Sequence, residues 1–198
     1  MNRIDYSPLG LFGFSLTAIL VNLHSLGLVP SNALLISMAL IFGGATQLVV
    51  GLLEYKQGRS FSGITFCAYG LYWLSFVGIA LFPILGFPIA APVSALGCYF
   101  LLWAIFTTLM TIIAQRLSHV DFIIFLSLSM LYYLLAVQQF LPMPILNTFS
   151  SLIGITCGLS AFYLAVAKIL NHELGYSLLP IGKRVNDSSP QLNLKART

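Results

Sequence analysis

The sequence predicts an all-α membrane protein with six transmembrane helices and both termini in the cytoplasm. Three observations carry that reading. Six apolar stretches, residues 8–28, 31–53, 62–82, 93–115, 122–141 and 147–167, each have about the length that crosses a bilayer core. The chain is 59% hydrophobic and 7% charged, with a mean hydropathy of +0.96. Soluble domains carry about 25% charged residues, so a soluble fold is excluded. The third observation is that all nine basic and all five acidic residues fall on one side once the stretches are marked off. Arg3 and Asp5 precede the first stretch, and Glu54, Lys56 and Arg59 follow the second. Arg116 and Asp121 lie between the fourth and fifth, and Lys168, Glu173, Lys183, Arg184, Asp187, Lys195 and Arg197 follow the sixth. The connections near 24–31, 82–92 and 141–147 carry no formal charge. Basic loops stay cytoplasmic, so the helix number is even.

Each element follows from the same physics. Lipid leaves unpaired backbone groups without partners, so only helices or a closed barrel can span it. Barrel strands alternate polar and apolar residues over about ten positions, whereas these runs are continuous. Pro30, Pro83, Pro88, Pro92, Pro142 and Pro144 lie at or between span ends on the uncharged side and predict short, stiff turns there. Gly58 suits the C-terminus of the second helix. Residues 1–184 therefore form one helical domain, and the polar residues 185–198 read as a disordered cytoplasmic tail. The first span is too long for the apolar region of a cleavable signal peptide.

Several function classes drop out. The net charge of +4 is scattered over short loops, which does not make a nucleic-acid footprint. Cys67, Cys98 and Cys157 lie within spans, with no CxxC and no His cluster, and read as buried, inert thiols. No metal-ligand spacing, cofactor motif or nucleophile–base pair points to an enzyme. With loops this short, function must be built from span side chains and their mouths.

Polar residues inside the spans are the candidates. Gly44, Gln47, Gly51 and Glu54 follow helical spacing down one face of the second span, ending in a carboxylate at the cytoplasmic mouth. The first span offers Ser15, Thr17, Asn22 and His24; the third Thr65, Tyr69 and Tyr72; the fourth Thr107, Thr108 and Thr111. Ser127 and Ser129 follow in the fifth, and Thr156, Ser160 and Tyr163 in the sixth. Small and hydroxylated residues serve helix packing as readily as pore lining, and Gly154–Gly158 fits the GxxxG packing pattern. Asn22 and Gln47 point to a solvated site, because a primary amide left in lipid is costly. Glu54 is a candidate for proton exchange or a residue reaching out to the interface. His24 is a candidate ligand or a solvated interfacial imidazole.

The chain resembles the acetate uptake transporter family, the succinate–acetate permease group with its fungal ammonia/acetate relatives, over residues 5–184. The blocks that carry the likeness are Pro8-Leu9-Gly10-Leu11-Phe12-Gly13-Phe14, Asn22-Leu23-His24, Gly43-Gly44-Ala45-Thr46-Gln47 and Gly51-Leu52-Leu53-Glu54-Tyr55-Lys56-Gln57-Gly58. Ala68-Tyr69-Gly70, Trp73, Ser160-Ala161-Phe162-Tyr163-Leu164-Ala165, Leu170-Asn171 and Leu179-Pro180-Ile181-Gly182 continue them. The resemblance implies a homohexamer of six-helix protomers in the cytoplasmic (inner) membrane, each with its own pore for small carboxylates and protons. It implies an apolar constriction of Phe14, Tyr69 and Leu128, with Ala161 selecting substrate size. Thr17, Asn22, His24, Gln47 and Tyr72 would contact substrate. One departure stands out. The family's amino-terminal Asn-Pro-Ala-Pro-Leu-Gly-Leu reads Asp5-Tyr6-Ser7-Pro8-Leu9-Gly10-Leu11 here, and Asp5 is expected to repel a carboxylate at the cytoplasmic mouth. The leading reading is protonation-dependent passage of acetate and succinate. A channel for neutral solutes such as urea, short amides or ammonia suits an uncharged pore equally, and a signalling or scaffold role that has lost transport is the third reading.

Overall fold

The computed structural model describes residues 4–30, 33–87 and 91–182. The tail at 185–198, Pro88 and the charges of Arg3, Lys183, Arg184 and Asp187 lie outside them. Six helices long and apolar enough to cross a membrane make up the fold. They are α1 (Ser7–Ser25), α2 (Ala33–Lys56), α3 (Ser60–Ile84), α4 (Val93–Ala114), α5 (His119–Phe140) and α6 (Pro144–Leu174).

Local chemistry sets most boundaries. Pro8 stands in the first turn of α1 and Pro144 in that of α6, where the missing N–H costs no helical bond. Pro144 is thus the first helical residue, at a span end. Pro83 lies in the last turn of α3, at the end of that span. Gly58 closes α2 at φ +77°, as its position suggested. Ser118 caps α5: its Oγ accepts from Asp121 N at 3.0 Å. Asp121 and Lys168 fall inside their helices because α5 and α6 reach beyond the apolar stretches of 122–141 and 147–167.

One feature of α2 is invisible to periodicity. Its residues Ala39–Thr46 form a π-helix, wider than the α-helical turns on either side. The Thr17 hydroxyl of α1 donates to Gly13 O at 2.8 Å and lies 3.2 Å from Met38 O, where the wide stretch begins. Gly13 of α1 sits directly against the Phe42 carbonyl, where no Cβ fits.

The helices form a ring in which α3, α2, α1, α6, α5 and α4 follow one another with closely approaching backbones. Between α4 and α3 the backbones stand further apart, and large rings close the gap. Tyr72 meets Trp103 with ring centroids 5.1 Å apart and Tyr99 at 5.8 Å, and Tyr69 meets Phe106 at 5.8 Å.

Glycines make the α2–α3 contact close. Gly44 and Gly51 of α2 face Gly70 and Gly63 of α3, each pair seven residues apart. Of the two readings of small residues in spans, helix packing holds for Gly44 and Gly51, since both are covered by α3. A Cβ on Gly51 would stand 2.5 Å from Cys67 Sγ and 2.6 Å from Cys67 N, whereas one on Gly78 would make ordinary contact at 3.5 Å with Phe82. Gly51→Ala is therefore expected to destabilise the protein by about 1–3 kcal/mol, and Gly78→Ala to leave it unchanged. Thermal unfolding in detergent checks this, and equal Tm values for the two variants contradict it. Gly154 and Gly158 pack within the chain against Asn22 and Ile19 of α1.

After α6 the chain folds back beneath the bundle. Asn171 fixes Leu179 through two bonds, Nδ2 to O at 2.8 Å and N to Oδ1 at 2.9 Å, and Tyr163 Oη donates to Pro180 O at 2.8 Å. The Gly182 carbonyl then accepts from His119 N at 3.0 Å, satisfying an orphan donor at the start of α5. Cys157 is buried, Cys67 half-buried and Cys98 exposed. The expectation of three buried thiols holds for Cys157 alone.

Candidate transport site

Inside the ring lies one apolar core to which five helices contribute large side chains. Phe14 of α1, Tyr69 of α3 and Leu128 of α5 all belong to it and are buried. The Tyr69 ring lies 6.4 Å from Phe14, 6.0 Å from Trp103, 5.8 Å from Phe106 and 6.3 Å from Phe125, centroid to centroid. Ala161 is fully buried in the same core. Tyr72 lies one turn along α3, edge-on to Tyr132 at 5.1 Å.

The Tyr69, Thr107 and Thr17 hydroxyls have their protons committed, whereas the Trp73 indole N–H of the same core finds no acceptor among the described residues. Tyr69 Oη donates to Thr107 Oγ1 at 3.0 Å, and that hydroxyl donates to Trp103 O at 2.7 Å. Thr17 Oγ1 donates to Gly13 O at 2.8 Å. Asn22 Nδ2 bonds Ala18 O, and Gln47 Nε2 bonds Gly43 O, each at 2.8 Å. Both amides thus satisfy one donor on their own helix, four residues back. What remains toward the interior is rich in lone pairs and poor in hydroxyl protons.

His24 sits apart, at the uncharged end. Its Nδ1 lies 2.8 Å from Val29 O. A carbonyl only accepts, so Nδ1 bears the proton and the imidazole staples the α1–α2 connection. A neutral network lies at the same end: Gln138 Nε2 donates to Asn147 Oδ1 at 3.2 Å, and Asn147 Nδ2 to Ser25 O at 2.7 Å.

The opposite end is charged and tightly organised. Glu54, at the foot of α2, is 0% exposed. Its Oε1 accepts from Tyr6 N at 2.8 Å and Arg59 Nη2 at 2.6 Å, while Arg59 Nε approaches Oε2 at 2.5 Å as an ion pair off the hydrogen-bonding angle. Arg59 Nη2 also donates to Ile4 O at 2.5 Å. Asp5 lies against the same guanidinium at 3.7 Å and against Lys168 Nζ of α6 at 3.6 Å. Its Oδ1 accepts from Ser7 N at 3.0 Å, and Lys168 Nζ donates to Ser7 Oγ at 2.6 Å. Asp5, expected to repel a carboxylate, is thus ion-paired here, and the Asp121 carboxylate also lies in the field of Lys168. Burial alone would raise the Asp5 pKa, but Lys168, the Ser7 bonds and Arg59 together hold it below the ordinary carboxylate value. A depressed pKa adds stability above the unfolded-state value that is lost as pH falls through the folded one. Asp5 therefore stays ionised at neutral pH, and its ion pairs persist there.

The amino-terminal block does the positioning. Asp5 anchors the first turn of α1 through Ser7 N, and Pro8 and Leu9 follow in that turn. Gly10 lies flat against the Phe66 ring, where a Cβ would stand 2.7 Å away, and Leu11 packs on the core. This block sets the height of Phe14, one turn above Gly10.

A family model described as GPR1/FUN34/yaaH matches residues 2–183. The chain belongs to the GPR1/FUN34/yaaH family. It is similar to the succinate-acetate/proton symporter SatP of Escherichia coli K12, with 40% identity over 89% of this chain and 94% of that one. A solved structure described as the bacterial acetate channel SatP superposes with a TM-score of 0.88 and 39% identity, covering 90% of this chain and 99% of the other. Ammonia transport outward protein 2 of Saccharomyces cerevisiae is 29% identical over 91% of this chain and 67% of its own length. The family relation and the six spans make this a multi-pass membrane protein, among transporters and channels rather than enzymes.

Within that family fold, sequence reasoning offered Thr107 but missed Phe125, Phe106 and Trp103 beside Tyr69. Phe125 had a usable signal, since it lies three residues before Leu128 on the same helical face. Trp103 and Phe106 had none, because an aromatic residue in an apolar span looks the same whether it faces lipid or the interior.

Proposed function

We propose that this protein moves acetate and other small carboxylates, succinate among them, across the cytoplasmic (inner) membrane in their protonated form. Each protomer of a homohexamer carries its own pathway, past a constriction of Phe14, Tyr69 and Leu128. One observation carries the protonation argument: the hydroxyl protons around Tyr69 are already committed to other acceptors. A carboxylate only accepts hydrogen bonds, whereas the neutral acid brings its own O–H donor to the lone pairs on offer. Among the described residues the fixed cations stand at the charged end, so nothing cationic in the core would offset the tens of kcal/mol of an isolated buried anion. Gln47, Asn22 and Thr17 line the approach, Tyr72 and Ala161 shape the space about the constriction, and Glu54 holds the charged end together rather than carrying protons.

A lone-pair-rich interior would also pass neutral donors such as ammonia or urea, and the ammonia transport relative favours keeping that second reading. Flux into proteoliposomes separates the two. Radiolabelled acetate uptake is expected to follow an imposed pH gradient and collapse when a protonophore is added, with urea flux unaffected. Acetate uptake indifferent to the gradient overturns protonation-dependent passage.

A further inference from the structure

Arg59 and Lys168 meet Glu54 and Asp5 in different ways, with the Asp121 carboxylate adding to the field at Lys168. Glu54 is sealed from solvent and makes short contacts to Arg59 and to the backbone of Tyr6. Asp5 is 41% exposed, and its cationic partners stand at 3.6 and 3.7 Å, beyond hydrogen-bonding distance. Its short hydrogen bonding is to Ser7, whose backbone N–H donates to Oδ1 at 3.0 Å in the first turn of α1. Lys168 offers three donors, and its hydrogen bond among the described residues goes to Ser7 Oγ.

These contacts describe a receptor with a ligand in it. A backbone N–H at a helix start, a lysine ammonium and one edge of a guanidinium converge on a single carboxylate, which the chain itself supplies. The cations cannot relax away, because Arg59 is fixed by Glu54 and Ile4 and Lys168 by Ser7. The geometry points to a carboxylate-binding site between Lys168, Arg59 and Ser7 at the cytoplasmic end, occupied by Asp5 as a tethered competitor of the transported acid. The identity of the competing acid rests on the transport reading above; the site itself does not.

The consequence is graded rather than absolute exclusion. Loose, partly exposed ion pairs are weak, so an incoming carboxylate displaces Asp5 at modest cost. Asp5 then weakens capture of substrate from the cytoplasmic side while leaving the uncharged end unaffected. With asparagine in its place the site keeps both cations and loses the competitor.

Two measurements on the full chain in detergent test the site without relying on flux. In wild-type protein, saturating acetate is expected to accelerate amide exchange at Ser7, whose N–H passes from the tethered Asp5 to a ligand that leaves and returns, but not at Tyr6, whose N–H stays on Glu54. Acetamide at equal concentration should do neither. In the second, broadening of the 13C-acetate resonance is expected to report about two- to fivefold tighter binding for Asp5→Asn. That gain should vanish in Asp5→Asn/Lys168→Gln and be absent in Asp5→Glu. Unchanged Ser7 exchange in acetate overturns the proposal, as does a binding gain that survives loss of Lys168. The exchange experiment needs no variant to fold. Acetate-dependent exchange in a protein without acetate flux would refute the transport reading and leave this site standing; flux without it would do the reverse.

Discussion

Arg59→Met is expected to be the most damaging single substitution at the charged end, costing about 3–5 kcal/mol. The reason is Glu54. Its carboxylate is 0% exposed and takes its charge compensation from Arg59 at 2.6 and 2.5 Å. Removing the guanidinium leaves an uncompensated buried charge beside Tyr6 N, and also frees Ile4 O, so the entry to α1 loosens. The size of the effect belongs to the orphaned partner rather than to the pair itself, since paired buried ions often contribute little net stability. A reciprocal change should therefore recover much of the loss. Glu54→Gln/Arg59→Met removes both charges while the amide can still accept from Tyr6 N, and it is expected to unfold well above Arg59→Met. Monodisperse yield and thermal unfolding in detergent read the comparison. A double variant no more stable than the single one would show that Arg59 acts through Ile4 and Asp5 instead.

How far the sequence could reach is visible in this same cluster. Span number and charge placement were legible because lipid imposes length and sign on any sequence that crosses it. Glu54 and Lys168 could be put at one end of the bundle by that logic. It could not bring Asp5, Arg59 and Lys168 to one point, because that depends on which helices are ring neighbours, and α1 and α6 meet only in three dimensions. The same limit applies to the core. Phe14, Tyr69 and Leu128 were chosen by resemblance and share a core, but the aromatic closure between α3 and α4 depends on a gap between backbones that periodicity does not record. The π-helical stretch Ala39–Thr46 escaped for another reason: one extra residue per turn leaves apolar periodicity unchanged in a uniformly apolar run.

Leu128→Ala is expected to raise the lactate-to-acetate flux ratio by about tenfold, if a methylene-scale change in an apolar passage is worth about 1–3 kcal/mol in discrimination. Leu128 is 4% exposed and shares its core with Phe14 and Tyr69, whereas Tyr69 is held through Thr107 and four neighbouring rings and cannot easily swing to fill the space. Truncation should therefore leave a wider passage rather than a collapsed one. A buried leucine also supports the fold, so the variant is expected to lose some stability, about 2–5 kcal/mol by analogy with other buried leucines. Loosening and widening must be told apart. Leu131→Ala provides the comparison, because Leu131 is buried in the same core one turn further along α5 but is not one of the three proposed constriction residues. It should lower the unfolding temperature to a similar degree and leave selectivity near that of the wild type. If both variants admit lactate equally, core loosening explains the effect. If Leu128→Ala folds and its selectivity is unchanged, Leu128 does not line the constriction, and the narrow point moves toward Phe125, the other α5 residue packed against Tyr69.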